Sequence, residues 1–186
     1  MPDFENSSHD NISISIARPE DAEEIAELAR VTFAETFVGK AYYTVEIIDD
    51  YAKKALSPGM FRECLGDPQH QLFLAKINGE TAGFAHLASR EPAECVRSLH
   101  AMYLNRLYFR KEFHRRGLGT ILLNQCIEEA KRRQYDWIWL SVWEHNTPAI
   151  AFYERFGFTH FGEWEWPFES LGVKYVDRDL IYAIRI

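Results

Sequence analysis

Cysteine is scarce in this chain of 186 residues: Cys64, Cys95 and Cys126 are the full set. They are scattered, odd in number and form no Cys-x-x-Cys pair, which argues against a disulfide framework or a zinc site, so no metal is expected. Apolar runs long enough to span a bilayer are missing, so no membrane association is expected. A positive excess is missing too. The formal net charge is −7, so nucleic acid is not an expected partner. Negative balance suits a cationic ligand, and it suits plain solubility equally well. The opening MPDFENSSHDN is polar and acidic and does not read as a signal peptide, which points to a cytoplasmic protein. Repeats and low-complexity linkers are also lacking. With 47% hydrophobic residues, the chain can bury one full core. A loose tail over residues 1–11 and one domain over residues 12–186 are expected.

What is present centres on Asn105 to Ala130, NRLYFRKEFHRRGLGTILLNQCIEEA. Leu104 to Phe109 reads as a buried strand. A basic patch and two glycines one residue apart follow. Leu122, Leu123, Cys126, Ile127 and Ala130 then recur at helical spacing. Amides at a helix start have no partner inside the helix, and the dipole is positive there. Gly117 and Gly119 would let a ligand approach the backbone closely, and Arg115 and Arg116 add forked donors. This reads as a pyrophosphate cradle over Arg115, Arg116, Gly117, Leu118, Gly119 and Thr120. It is not a Walker loop, because no Gly-Lys-Ser/Thr follows. It is not the dinucleotide fingerprint, because Leu122 stands where the third glycine would be.

The remaining pattern is a mixture of hairpins and strand–helix–strand units. ISISIA alternates as a strand, and Pro19 with Glu20, Asp21, Glu23 and Glu24 opens a helix buried along Ile25, Leu28, Ala29 and Phe33. Further helices are expected from Thr44 to Leu56 and from Gly59 to Leu65. Gln71 to Ala88 reads as a hairpin turning at Asn78-Gly79. The central strand is expected over Arg97 to Phe109, and a second strand over Asp136 to Trp143. Asn146 or Thr147 caps a helix that Gly157 ends. Then come a strand from Phe158 to Trp164, a loop from Pro167 to Gly172 and a last strand from Val176 to Ile186.

HRRGLGT resembles the acetyl-coenzyme A signature Q/R-x-x-G-x-G/A of the GNAT N-acetyltransferases, with His114 at the first position where Gln or Arg is usual. NTPAIAFYERFGF, Asn146 to Phe158, resembles the second block of that family, and IARPEDAEEIAEL resembles its first strand and helix. The resemblance implies an α/β fold: a mixed, mostly antiparallel central sheet splayed in the middle and flanked by helices. It implies acetyl-coenzyme A as cosubstrate and direct attack by an amine in a ternary complex. A homodimer fits the same family.

Acetyl transfer needs a diphosphate cradle, a strand edge for the pantetheine arm, an oxyanion donor, an acid for the leaving thiolate and a neutral amine. The resemblance places backbone pantetheine contacts on Leu107, Tyr108 and Phe109 and an oxyanion contribution on Val142 N–H. Asn146 matches an asparagine that reaches the pantetheine; a helix cap is the alternative. Tyr153 matches the tyrosine that acts as general acid, and core packing beside Phe152 and Phe156 is its alternative. Asn105 stands where many relatives carry a basic glutamate and cannot take a proton, so Glu144 and His100 are the substitute candidates. WLSVWEHNTPAIAFYERFGF and TFAETF look most like bacterial spermidine/spermine N-acetyltransferases, and Glu35, Asp49, Asp50 and Glu144 are the acidic groups offered to a polycation. A protein, peptide, amino-acid or aminoglycoside acetyltransferase is the alternative acceptor reading. A coenzyme A-binding sensor without turnover is the alternative outside the enzymes.

Overall fold

A computed structural model describes residues 11–186, so the expected tail, apart from Asn11, lies outside the described residues. The strands are β1 (Ile12–Ile16), β2 (His70–Ile77), β3 (Glu80–Ala88), β4 (Ala101–Phe109), β5 (Trp137–Trp143), β6 (Thr159–Ser170) and β7 (Val173–Arg185). The helices are α1 (Ala22–Phe37), α2 (Val45–Ala55), α3 (Pro58–Gly66), α4 (Leu118–Arg132) and α5 (Thr147–Phe156). One seven-stranded sheet runs β1-β2-β3-β4-β5-β7-β6, antiparallel throughout except where β4 and β5 pair in parallel.

Both faces of the sheet are covered, which is why the central strands read as nearly continuous apolar runs. Along β2, Phe73 and Ala75 turn to α4 and α5, packing with Leu122, Leu123, Cys126 and Tyr153. Leu72 and Leu74 turn the other way, to Ile25 and Leu28 of α1 and Phe61 of α3. The apolar stripe expected on α4 is fully buried at Leu122, Leu123, Cys126 and Ala130.

Two expectations need correction. The central strand begins at Ala101, not Arg97, because a short turn over Glu94–Val96 extends forward and Leu99 N–H bonds the Val96 carbonyl at 2.9 Å. Residues 167–170 are not loop: β6 continues to Ser170, and Leu171 (φ 53°) with Gly172 (φ 76°) forms a two-residue hairpin turn. Pro167 is tolerated because β6 is the sheet edge, where one side of the strand needs no ladder partner.

The sheet opens in its middle. β4 and β5 pair only at Ala101↔Trp137, Met102↔Ile138 and Tyr103↔Trp139. Past that point β4 follows β3, and β5 follows β7 to Trp143. The cause lies at Asn105. His86 faces Arg106 while Leu87 faces Leu104, so Asn105 is an extra residue on β4. Such a bulge bends its strand, and here it marks where the two strands part.

Candidate active site

Alternation along an antiparallel ladder settles which backbone groups face the opening. Arg110 N–H bonds the Ala82 carbonyl at 2.9 Å, so Tyr108 is turned towards β3, while Leu107 and Phe109 present their N–H and C=O to the gap. The Phe109 carbonyl is already taken by His114 Nε2 at 2.9 Å. Of the three residues expected to offer backbone, the middle one therefore does not. The same argument applies to Val142, whose N–H was expected to face the reacting carbonyl. Glu144 N–H bonds the Arg178 carbonyl at 3.0 Å, which turns Val142 towards β7 and leaves the N–H of Trp143 facing the gap.

The turn before α4 has the geometry that a diphosphate site needs. Arg115 (φ 63°) and Gly117 (φ 78°) are both left-handed, and Gly117 is the residue from which the helix starts. Ile121 N–H is the first to reach back, to the Gly117 carbonyl at 3.2 Å, so Leu118, Gly119 and Thr120 carry amides with no carbonyl behind them in the helix. Gly117, the capping residue, has no side chain to cap this end, and no acidic residue lies in its first turn. A Cβ placed on Gly117 would meet nothing within 4 Å, which is the open space an anion would take. Gly119 does something else. A Cβ there would stand 3.3 Å from the Phe152 ring, so this glycine lets α4 and α5 approach each other. Leu118 is buried with Phe113, and the Arg116 guanidinium lies 5.5 Å from the centre of the Phe113 ring. Arg115 and Thr120 are exposed. These residues fit a ligand that carries a diphosphate on an extended arm.

Between the separated strands lies a cavity of about 200 Å³, lined from β4 by residues 103–108 and from β5 by Ser141, Val142 and Trp143. Tyr153 and Asn146 open onto it from α5 and its start. Asn146 is the capping residue, yet its side chain makes no cap hydrogen bond, which leaves the amide to the cavity. Tyr153 packs edge-on against Phe152 and Phe158, and burial pushes its phenol up, so it stays protonated at neutral pH.

Neither substitute base reaches the cavity. Glu144 is not in its lining; it pairs with Arg178 Nε at 2.9 Å, and that guanidinium holds its carboxyl below the usual range. His100 precedes β4, pairs with Asp136 at 3.5 Å and stacks on Tyr135 outside the cleft. Glu144→Gln should therefore leave turnover within about twofold, since it removes only a solvent-screened ion pair outside the cavity; a steady-state rate comparison checks this. Glu35, Asp49 and Asp50 do not line the cavity either. Glu35 accepts the Lys111 N–H at 3.0 Å, and Asp50 accepts the Ser170 hydroxyl at 2.9 Å.

The carboxylates that do line it were missed. Asp177 and Asp179 sit on β7 facing Phe37, Tyr43, Trp143, Trp166 and Phe168. Asp177 is buried and accepts both the Tyr42 and Tyr43 hydroxyls. Burial raises the Asp179 carboxyl to about 6; the Ser141 hydroxyl pulls it down, and the charge of Asp177 pushes it up. A sequence signal existed: Tyr175, Asp177, Asp179 and Ile181 share one face of an alternating strand, so the two carboxylates run in phase with a buried isoleucine. Also missed was a cluster on β2, β3 and α3. Cys64, His70 and His86 bring ligand atoms within 4.8 Å of one another. His86 bonds His70 at 2.8 Å, and the Asn105 amide lies 3.3 Å from its other nitrogen. Burial, the Arg106 guanidinium and His70 together hold His86 far below its usual range, hence neutral.

The model of the acetyltransferase (GNAT) family matches residues 20–158. An uncharacterized N-acetyltransferase from the pepI 3′ region of Lactobacillus delbrueckii subsp. lactis is 31% identical over 143 residues, 77% of this chain and 82% of that relative. A probable spermine N(1)-acetyltransferase of Bacillus subtilis subsp. natto is 35% identical over 74 residues, 39% of this chain and 49% of the relative. Among solved structures, the PaiA N-acetyltransferase of Thermoplasma acidophilum in complex with coenzyme A superposes with a TM-score of 0.76 at 20% identity, over 95% of this chain and 99% of that one. The splayed sheet and the family match over three quarters of the sequence lead to one conclusion: this chain belongs to the GNAT acetyltransferase family and is an N-acetyltransferase that uses acetyl-coenzyme A as cosubstrate.

Proposed function

We propose that the acceptor is a polyamine such as spermidine or spermine, acetylated on a primary amine by direct attack in the cleft between β4 and β5. The observation that carries this reading is the pair of carboxylates, Asp177 and Asp179, inside an aromatic wall. Aromatic faces attract an ammonium group, more strongly once it has lost water, and carboxylates complete its hydrogen bonds. The partial similarity to a probable spermine acetyltransferase points the same way. A cavity of about 200 Å³ suits a slim alkyl amine better than a folded polypeptide end.

Acetyl-coenzyme A supplies an acetyl thioester. The amides of Leu118, Gly119 and Thr120, with Arg115 and Arg116, hold its diphosphate. Leu107 and the N–H of Phe109 align the pantetheine arm, and Asn146 reaches it from the other side. Trp143 N–H, which faces the gap, would be the donor to the carbonyl oxygen as it gains charge, and a single such donor is worth roughly 10²–10³ in rate. Tyr153 gives its proton to the departing sulfur; a phenol pushed up by burial is a suitable donor because it does not ionise beforehand.

The test is thiol release from acetyl-coenzyme A across spermidine, spermine, free amino acids, an aminoglycoside and a peptide beginning with alanine. The expected result is a kcat/KM for spermidine or spermine about 100-fold above that for the peptide, the equivalent of two charge-assisted contacts. Preference for the peptide would overturn the polyamine assignment in favour of a protein acceptor.

A further inference from the structure

We infer that Asp179 is the catalytic base, accepting the proton that the incoming ammonium must lose before it can attack. This rests on the acetyl-transfer reading above and names a group within that same cleft.

Position argues first. Asp179 pairs with Trp143, the last residue of β5 and the one whose N–H faces the gap. It therefore stands beside the open part of the cleft, beyond the last β4–β5 pair at Tyr103↔Trp139. It also stands on the opposite side of the sheet from the proposed acid. Tyr153 belongs to the face covered by α4 and α5. Asp177, in phase with Asp179, meets Tyr42 and Tyr43 on the face covered by α1 and α2. An amine arriving from one face and a sulfur leaving towards the other need a proton acceptor and a proton donor separated in just this way.

Availability argues second. Asp177 already accepts one phenol hydroxyl on each of its two oxygens, so both are engaged by the protein. Asp179 has the Ser141 hydroxyl and retains capacity towards the cavity. Arg178, between them in sequence, faces the other side and pairs with Glu144 and Glu163.

Around Asp179, Asp177 lies on the same strand and Ser141 on β5. From β4, Tyr103 and Tyr108 feel its charge, and Arg106 lines the same cavity. Tyr43 and Tyr51 line it from the α1–α2 side and Tyr153 from α5. Burial and Asp177 place the carboxyl at about 6, a base that is ionised at neutral pH yet strong enough to take a proton.

The step balances. R–NH3⁺ gives one proton to Asp179. The freed nitrogen pair forms the N–C bond, and the C–S bond breaks. Tyr153 protonates the sulfur, the nitrogen's second surplus proton restores the phenol, and Asp179 returns its proton to solvent.

The experiment is the pH dependence of kcat/KM for spermidine in wild type and Asp179→Asn, with coenzyme A affinity measured on the same preparations. The wild type should show an acid limb near pH 6 and a plateau up to the amine's own pKa, about 10. Asp179→Asn should lose about 100-fold in kcat at pH 7, and its residual rate should climb about tenfold per pH unit as free amine appears. Its coenzyme A affinity should stay within about twofold. Its melting temperature relative to wild type should increase from pH 5 to pH 8. A carboxyl raised on folding contributes stability below its unfolded value that is lost as pH rises through about 6, and the amide does not lose it. Retained kcat in the variant, or an unchanged acid limb, overturns the inference. A wild type that binds coenzyme A but releases thiol with no amine overturns the acetyl-transfer reading itself, and the base assignment falls with it.

Discussion

Gly117→Val is expected to weaken coenzyme A binding by about 10² or more while leaving the protein folded. The position is exposed, so no core packing is lost. Its φ of 78° costs a β-branched residue about 1–3 kcal/mol, which a domain with a typical margin of about 5–15 kcal/mol can absorb. The larger effect is on the ligand. The new Cβ enters space that is empty for 4 Å among the described residues, the space through which a phosphate would reach the amides of Leu118 to Thr120. Losing two charge-assisted bonds of about 1.5–3 kcal/mol each weakens binding by about 10² or more. Gly117→Ala keeps the left-handed strain with only a methyl group, so it should fall between wild type and valine. Calorimetric titration with coenzyme A, run beside a thermal melt, separates obstruction from unfolding. Normal affinity in the valine variant would mean that the diphosphate sits elsewhere.

Tyr153→Phe has the other large effect, and it is confined to the chemical step. The ring is buried among Phe152 and Phe158, so phenylalanine preserves shape and packing. What disappears is one proton. If Tyr153 is the acid, the thiolate would then leave as an anion, and kcat should fall about 10²-fold or more, with coenzyme A affinity unchanged. The loss should persist across the pH range, because burial keeps the wild-type phenol protonated far above neutrality. Pre-steady-state thiol release reads the step directly. An unchanged rate would return Tyr153 to a packing role.

The strand, turn and helix of the proposed cradle were legible in the sequence because they are local. Strand, basic turn, two glycines and an amphipathic helix lie within one short stretch, and each has its own spacing signature. Even there the two glycines looked alike, yet only tertiary contact separates them: Gly117 is free of neighbours and Gly119 packs on Phe152. Features that depend on strand register were not legible. Which of Leu107, Tyr108 and Phe109 turns to the gap follows from where β4 pairs with β3, and the choice of Trp143 over Val142 follows from the pairing of β5 with β7. The acidic floor was hidden for the same reason. Asp177 and Asp179 lie some 35 residues after the β5 tryptophans in the chain and reach the cleft only because β7 inserts between β5 and β6. The carboxylates that the sequence offered instead, Glu35, Asp50 and Glu144, are occupied by Lys111, Ser170 and Arg178. Pro167 misled in a different way, since a proline in a strand reads as loop unless the strand is known to be an edge.

The proposed cofactor seat, a helix tip opened by Gly117 beside parted strands, is tested most directly by amide hydrogen exchange with and without coenzyme A. Slowed exchange is predicted at Leu118, Gly119 and Thr120, and at Leu107 and Phe109, whose amides face the gap, while Tyr108, already turned to β3, is unchanged. Protection that skips residues 118–120 and appears elsewhere would contradict the account.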